Sequence, residues 1–104
     1  MKMGVQDNGT MLVQVDFEVF GHVQGCSFTK CAREKADELG ITGWVKNSKA
    51  GTIMGKMQGT KANVDKMNAW LRHEGSPGCR IEKLELTNLK NLSRYDYKDF
   101  AIRF

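Results

Sequence analysis

The chain has 104 residues, a net charge of +4 and 40% hydrophobic residues, which is the size and composition of one globular domain and excludes a disordered chain. A basic chain favours anionic partners. Its lysines and arginines are scattered and form no run of five or more, which favours an ordinary solvated basic surface and disfavours a nucleic-acid partner. Phosphate-sized anions remain compatible with this charge.

The N-terminal residues 1–11 are polar and lack the apolar stretch of a signal peptide, and no segment of the sequence is long and apolar enough to span a bilayer. We therefore expect a cytoplasmic protein that does not associate with membranes. Residues 1–11 are interpreted as a polar extension that precedes one domain over residues 12–104. We also expect a monomer.

The first predicted element is a strand, because Val13, Val15, Phe17 and Val19 alternate with polar residues. After a loop that begins at Gly21, apolar residues return at helical spacing. They are Phe28, Cys31, Ala32, Ala36 and Leu39. Gly40 then ends the predicted first helix.

A hairpin is predicted next. Its strands start at Trp44-Val45 and run from Ile53 to Gln58, with turn-forming residues from Asn47 to Gly51 between them. Thr60 is positioned to cap a second helix, which Gly75 and Pro77 end.

The last predicted strands cover residues 81–89 and 99–104. The order β-α-β-β-α-β with a final strand is typical of an α+β, ferredoxin-like split βαβ sandwich. We expect an antiparallel sheet of about five strands with two helices on one face.

The loop from Gly21 to Phe28 is the segment with the clearest chemical potential. Its two glycines allow backbone turns that other residues resist. Successive backbone amides that lead into a helix N-terminus form a concave, partly positive site suited to phosphate. A glycine-containing turn is also often a simple connection, so this pattern alone permits either interpretation.

Two motifs resemble the signatures of the acylphosphatase family. They are FGHVQGCSF at Phe20–Phe28 and GWVKN at Gly43–Asn47. Further similar segments are Gly51-Thr52, Gln58-Gly59, Gly75–Pro77 and Phe100–Phe104. The resemblance extends over residues 12–104.

The resemblance implies hydrolysis of acyl phosphates to a carboxylate and phosphate, without a metal or another cofactor. In that scheme backbone amides hold the phosphate oxygens. They belong to His22, Val23, Gln24, Gly25, Cys26, Ser27 and Phe28. The side-chain amide of Asn47 holds the attacking water, which suits a group that both accepts and donates hydrogen bonds. The expected partners are therefore a small acyl phosphate or inorganic phosphate.

The sequence departs from the family signature at Thr29, where the resemblance implies an arginine. Threonine has one hydroxyl and no charge, whereas arginine can grip phosphate through two parallel hydrogen bonds. Arg33 lies one helical turn after Thr29 and leans toward the loop, so it is a candidate substitute. A solvated surface position for Arg33 is the alternative interpretation.

The three cysteines raise the alternatives of a zinc site, a cysteine-dependent phosphatase and an oxidisable thiol. Cys26, Cys31 and Cys79 lack the spacing of a zinc site, and free thiols are expected. Cysteine-dependent phosphatases are disfavoured because six residues separate Cys26 from Arg33, instead of the five in that motif. A thiol near a helix N-terminus can still be prone to oxidation or mixed-disulfide formation.

Three functional hypotheses follow from these patterns. The first is an acyl-phosphate hydrolase that uses the loop amides and Asn47. The second is an anion-binding module of the same fold with weakened or absent catalysis, motivated by Thr29. The third is a nucleic-acid-binding protein, which the scattered charge and the lack of paired aromatic residues on a strand disfavour.

Overall fold

A computed structural model describes residues 11–104. The first ten residues of the predicted N-terminal extension lie outside the described residues. The described elements are β1 (Leu12–His22), α1 (Phe28–Leu39), β2 (Thr42–Asn47), β3 (Ile53–Thr60), α2 (Lys61–His73), β4 (Arg80–Asn91) and β5 (Phe100–Arg103).

The five strands form one sheet in the order β4-β1-β3-β2-β5. The pairs β1–β3, β1–β4 and β2–β3 are antiparallel, and the pair β2–β5 is parallel. The sheet is therefore mixed, and the expectation of an antiparallel sheet is wrong for the pair β2–β5. The predicted α+β, ferredoxin-like fold class is confirmed.

The alternation in β1 places its apolar residues under the two helices. Val13, Val15, Phe17 and Val19 are each no more than 3% exposed. They pack with the buried face of α1, which consists of Phe28, Ala32 and Ala36, and with that of α2, which consists of Val64, Met67, Trp70 and Leu71. These residues form the hydrophobic core.

The helix ends match the signals in the sequence. The hydroxyl of Thr60 accepts a hydrogen bond from the Asn63 amide at 3.3 Å and caps α2. Gly40 ends α1 in the left-handed conformation. Neither helix of the described chain is long and apolar enough to cross a membrane.

Strand direction determines where the loops meet. Strands β1, β2 and β5 all run the same way, because β1 and β2 are both antiparallel to β3 and β5 is parallel to β2. The C-terminal ends of these three strands therefore lie at the same end of the sheet, which we call the sheet edge. This edge carries the loop after β1, Asn47 at the end of β2 and Arg103 at the end of β5.

Candidate functional site

The connection from β1 to α1 turns through two residues in the left-handed backbone region. Gly25 has φ of 81° and Ser27, the N-cap of α1, has φ of 60°. A Cβ atom at Gly25 would meet no heavy atom of the described chain within 4 Å. The space in front of this part of the backbone is therefore open.

Glycine is also required at position 21, near the end of β1, for a different reason. At Gly21, φ is 131° and a Cβ atom would lie 2.1 Å from the Arg80 carbonyl oxygen of β4. The pairing between β1 and β4 also shifts register between Phe20 and Gly21. The close approach of the two backbones therefore fixes where the loop leaves the sheet.

The loop is anchored at both ends and exposed between them. Val23 and Phe28 are each 1% exposed, and the Phe28 ring packs against Trp70 with 5.5 Å between ring centroids. Between them, the residues Gln24, Gly25 and Ser27 are exposed.

The amides at the start of α1 are available to an external partner. The first amides of a helix have no acceptor within the helix. In the described part of the chain, Ser27 makes no side-chain capping hydrogen bond, and the first turn of α1 contains no acidic residue. An anion at this position would meet unpaired donors and the positive end of the helix dipole.

The side chain of Gln24 joins the loop to the turn that follows Asn47. Its Nε2 donates to the Ser48 carbonyl oxygen at 2.9 Å and to the Thr52 carbonyl oxygen at 2.9 Å. Asn47 is the exposed last residue of β2 and immediately precedes Ser48. The structure therefore brings the loop and Asn47 to the same side of the sheet edge.

Hydrogen bonds among Ser48, Thr52 and Glu18 hold the turn between β2 and β3. Thr52 Oγ1 donates to Glu18 Oε2 at 2.6 Å. Since the single hydroxyl hydrogen of Thr52 is used in this bond, the 2.6 Å contact between Ser48 Oγ and Thr52 Oγ1 has Ser48 as its donor. The Thr52 amide in turn donates to Ser48 Oγ at 3.1 Å. These bonds fix the turn against β1.

Cys26 is bonded to Cys79, so the expectation of free thiols is wrong for this pair. The two residues are 53 positions apart, but their Cα atoms are 5.8 Å apart, within the range that a disulfide spans. The spacing of the cysteines gave no sign of this, because the fold alone brings the β1–α1 loop beside the turn between α2 and β4. Cys31 remains free.

Ser76 forms a second link between the same two segments. Its hydroxyl donates to the Cys26 carbonyl oxygen, and the residue is 2% exposed. The amide of Cys79 donates to the Ser76 carbonyl oxygen at 3.1 Å, which closes the turn. The middle of the loop is therefore held by a covalent bond and a hydrogen bond to one turn.

Thr29 and Arg33 lie one turn apart on α1. Thr29 is half-buried next to the loop, and Arg33 is exposed. Four residues of helix span about 6 Å along the axis. The backbone of Arg33 is therefore about one turn behind the loop, and only its extended side chain can approach a bound anion.

Positive side chains lie close to Asn47 at the same edge. Lys46 and Arg103 are paired across β2 and β5. The Lys46 Nζ is 5.7 Å and the Arg103 guanidinium carbon 4.9 Å from the centroid of the Trp44 ring. Both cations therefore contact an aromatic face, on the side of β2 opposite the buried Val45.

Comparison with known proteins assigns the family. The acylphosphatase family model matches residues 15–102. The chain belongs to the acylphosphatase family. It is 44% identical over 94 residues to acylphosphatase-2 of Mus musculus, and this match covers 90% of the chain and 89% of the mouse protein.

Solved acylphosphatases share the fold. The structure of an acylphosphatase from Coxiella burnetii is 32% identical and matches with a TM-score of 0.77 over 89% of this chain and 94% of that one. The acylphosphatase from Bacillus subtilis is 25% identical and matches with a TM-score of 0.81 over 88% and 99%. The acylphosphatase family and fold support acyl-phosphate hydrolysis as the general class of activity.

Several contacts at the site could not be predicted from the acylphosphatase motifs. The motifs assigned Gln24 only a backbone amide, whereas its side chain joins two segments. Glu18, Ser48 and Thr52 resemble ordinary strand and turn residues, and no local pattern predicts their network. Among the described residues, no three His, Cys, Asp or Glu side chains are grouped to hold a metal ion.

Proposed function

We propose that this acylphosphatase hydrolyses the carboxyl–phosphate bond of small acyl phosphates to a carboxylate and inorganic phosphate. The substrate's phosphate group lies in the loop and accepts hydrogen bonds from the backbone amides of His22 to Phe28. The family assignment supports the reaction class. The uncapped start of α1 and the open space at Gly25 support the loop as the phosphate site.

In the proposed reaction, a water oxygen attacks phosphorus and the bond between phosphorus and the carboxyl oxygen breaks. The leaving group departs as a carboxylate and needs no protonation, since carboxylates are stable anions at neutral pH. The Asn47 side-chain oxygen accepts a hydrogen bond from the water and orients it. The loop amides stabilise the negative charge on the phosphoryl oxygens in the transition state.

The observation that carries this proposal is the pair of hydrogen bonds from Gln24 to Ser48 and Thr52. They hold the phosphate loop against the residue that directly follows Asn47. Catalysis by positioning requires the phosphate cradle and the water-holding group to keep a fixed separation. In this proposal these two hydrogen bonds, called the Gln24 bridge, keep that separation fixed.

The second candidate is a phosphate-binding module with weakened or absent turnover. It is favoured by Thr29, which stands where the family resemblance implies an arginine. An arginine on a phosphoryl transition state contributes roughly 10³–10⁵ in rate. In this alternative the loop still binds inorganic phosphate, and only turnover is affected. Both candidates act on small molecules in a cytoplasmic, monomeric protein.

The test is hydrolysis of benzoyl phosphate by the wild-type chain and by the variants Asn47→Ala, Asn91→Ala and Thr29→Arg. Asn47→Ala is expected to lower kcat about 100-fold, the scale for losing one transition-state contact. Phosphate affinity, measured as product inhibition, is expected to stay within about twofold because Asn47 contacts water rather than phosphate. Asn91→Ala, an exposed asparagine at the end of β4, is the control.

The same measurements separate the two candidates. Measurable hydrolysis by the wild-type chain, lost in Asn47→Ala, supports the hydrolase. Phosphate binding without hydrolysis, with turnover appearing only in Thr29→Arg, supports the binding module. An Asn47→Ala variant that raises KM alone would assign Asn47 to substrate binding and contradict the water-holding role.

A further inference from the structure

The disulfide lies in the phosphate loop itself. Cys26 sits between Gly25 and Ser27, both of which have positive φ angles, and its sulfur is bonded to Cys79. Left-handed backbone is unfavourable for a residue with a Cβ atom such as Ser27. A covalent restraint at Cys26 therefore acts on the part of the loop whose conformation presents the amides.

Cys79 provides a rigid anchor for this restraint. The next residue, Arg80, begins β4 and pairs with His22 at the end of β1. Ser76, at the other end of the same turn, is buried and donates to the Cys26 carbonyl oxygen. The sheet thus holds Cys79 in place while Cys26 belongs to a segment with an exposed residue on each side.

Both half-cystines are half-buried rather than enclosed, so small thiols can reach them. In a cytoplasmic setting, which the sequence predicts, thiols are kept reduced and the disulfides that form are typically transient and redox-sensing. A pair placed in a ligand-binding loop is suited to that behaviour.

We propose that Cys26 and Cys79 form a reversible redox site that controls phosphate affinity at the loop. The disulfide form holds the loop in its amide-presenting conformation and binds phosphate more tightly. The dithiol form keeps only the Ser76 and Gln24 hydrogen bonds, samples more conformations and binds more weakly. This inference rests on the proposed function, since it takes the loop as the phosphate site.

The chemistry is thiol–disulfide exchange with a low-molecular-weight disulfide such as oxidised glutathione. One protein thiolate attacks a sulfur of the small disulfide, which forms a mixed disulfide and releases one small thiolate. The second protein thiolate attacks the protein sulfur of that mixed disulfide, which closes the Cys26–Cys79 bond and releases the second small thiolate. The two protein thiols lose two electrons and two protons, and the small disulfide gains them as two thiols.

The experiment equilibrates the full chain in glutathione buffers of increasing oxidised fraction and counts free thiols by alkylation and mass spectrometry. Inorganic phosphate is then titrated into the oxidised protein and into protein reduced with dithiothreitol, with amide NMR shifts of Gly25 to Phe28 as the readout. We expect reduction to raise the phosphate Kd about threefold to tenfold. The phosphate Kd of Cys79→Ser should equal that of the reduced wild type, with or without dithiothreitol.

The matched control is Cys31→Ser, which removes the free cysteine and leaves the pair intact. It should respond to reduction as the wild type does. Equal phosphate Kd values in the two redox states, with the loop amides still shifting, would overturn the redox inference and leave the proposed function standing. A chain that keeps three free thiols in every glutathione buffer would also overturn it. Loop amides that do not respond to phosphate in either state would refute both.

Discussion

At the scale of single residues, Gln24 connects the loop to residues 24 and 28 positions further along the chain. One amide group satisfies two carbonyl oxygens of the β2–β3 turn. Because both bonds come from the same nitrogen, a substitution that removes that donor separates the loop from the turn in one step. In the proposed mechanism, Gln24 is therefore a positioning residue for Asn47.

We predict that Gln24→Ala lowers kcat/KM for benzoyl phosphate at least about tenfold, because misplaced catalytic groups lose rate steeply with distance. The free energy of unfolding should fall by only about 1–2 kcal/mol, the scale of lost hydrogen bonds to carbonyls. Gln24→Glu, similar in size but without the N–H donors, should behave alike. Lys49→Ala, an exposed position in the same turn, is the control, and wild-type kcat/KM in Gln24→Ala would refute the positioning role.

Thr29 and Arg33 are tested together, because they lie at i and i+4 on α1 and neighbours of this kind can couple. If Arg33 reaches the bound phosphate, Arg33→Ala should remove most of the hydrolysis that the natural sequence shows. It should have little effect once Thr29→Arg supplies a guanidinium next to the loop. A double-mutant cycle on hydrolysis rates measures this coupling.

The outcome of that cycle decides the role of Arg33. Additivity within about 0.5 kcal/mol would exclude Arg33 as a substitute for the family arginine. Arg33 is then a solvated residue, in keeping with its exposed position on α1. Lys30→Ala, a neighbouring exposed cation on the same helix, serves as the control for general changes in charge.

The sequence predicted the strand-to-helix connection in which the proposed site lies. Glycines and a strand-to-helix transition are local signals, so the loop and the start of α1 could be recognised. The Gln24 bridge and the Cys26–Cys79 bond depend on which distant segments meet, and local patterns carry no such information. The arrangement of three cysteines could not distinguish free thiols from a bonded pair.

At the scale of elements, hydrogen bonds from Gln58 hold the segment between β4 and β5 against the sheet. This β3 residue is fully buried. Its Nε2 donates to Gln14 Oε1 at 2.6 Å and to Asp96 Oδ2 at 3.0 Å, and its Oε1 accepts from the Asp96 amide at 2.8 Å. The connection to β5 thus covers the sheet face opposite the helices at this point.

We predict that Gln58→Met lowers the free energy of unfolding by about 2–3 kcal/mol. Methionine fills a similar volume, but it leaves the Asp96 amide and carboxylate and the Gln14 side chain without their buried partner. Urea denaturation followed by circular dichroism measures the change. Lys90→Met, at an exposed position of β4, should stay within about 0.5 kcal/mol, and an equal effect of both variants would contradict the buried network.

The order and type of the elements were predictable because each has a clear period and a clear stop signal. The boundaries were less so. The strand predicted over residues 81–89 extends from Arg80 to Asn91, and the strand predicted from Trp44 begins at Thr42. The burial of Gln58 could not be predicted from its own strand, because the segment that covers it belongs to a distant part of the chain.

At the scale of the whole molecule, the disulfide connects the first third of the chain to the last third. Closing a segment of 53 residues restricts the unfolded chain, which in the chain-entropy account stabilises the folded state by about 4 kcal/mol. This contribution is large for a domain of this size, whose total stability is typically about 5–15 kcal/mol.

We predict that reduction lowers the free energy of unfolding by up to about 4 kcal/mol, measured by urea denaturation with and without dithiothreitol. The m value should rise on reduction, because the unfolded chain without the bond exposes more surface. Cys31→Ser should show the same difference between the two conditions as the wild type. An identical urea midpoint for the oxidised and reduced proteins would contradict this account.

The same bond limits how far the molecule can be stretched. When force is applied at the two ends of the unfolded oxidised chain, tension passes from Cys26 directly to Cys79, and the residues between them carry no load. With a separation of 53 residues and about 3.4 Å per extended residue, the chain should be about 180 Å shorter than the reduced form. In a single-molecule pulling experiment, adding dithiothreitol should therefore release a discrete step of that length.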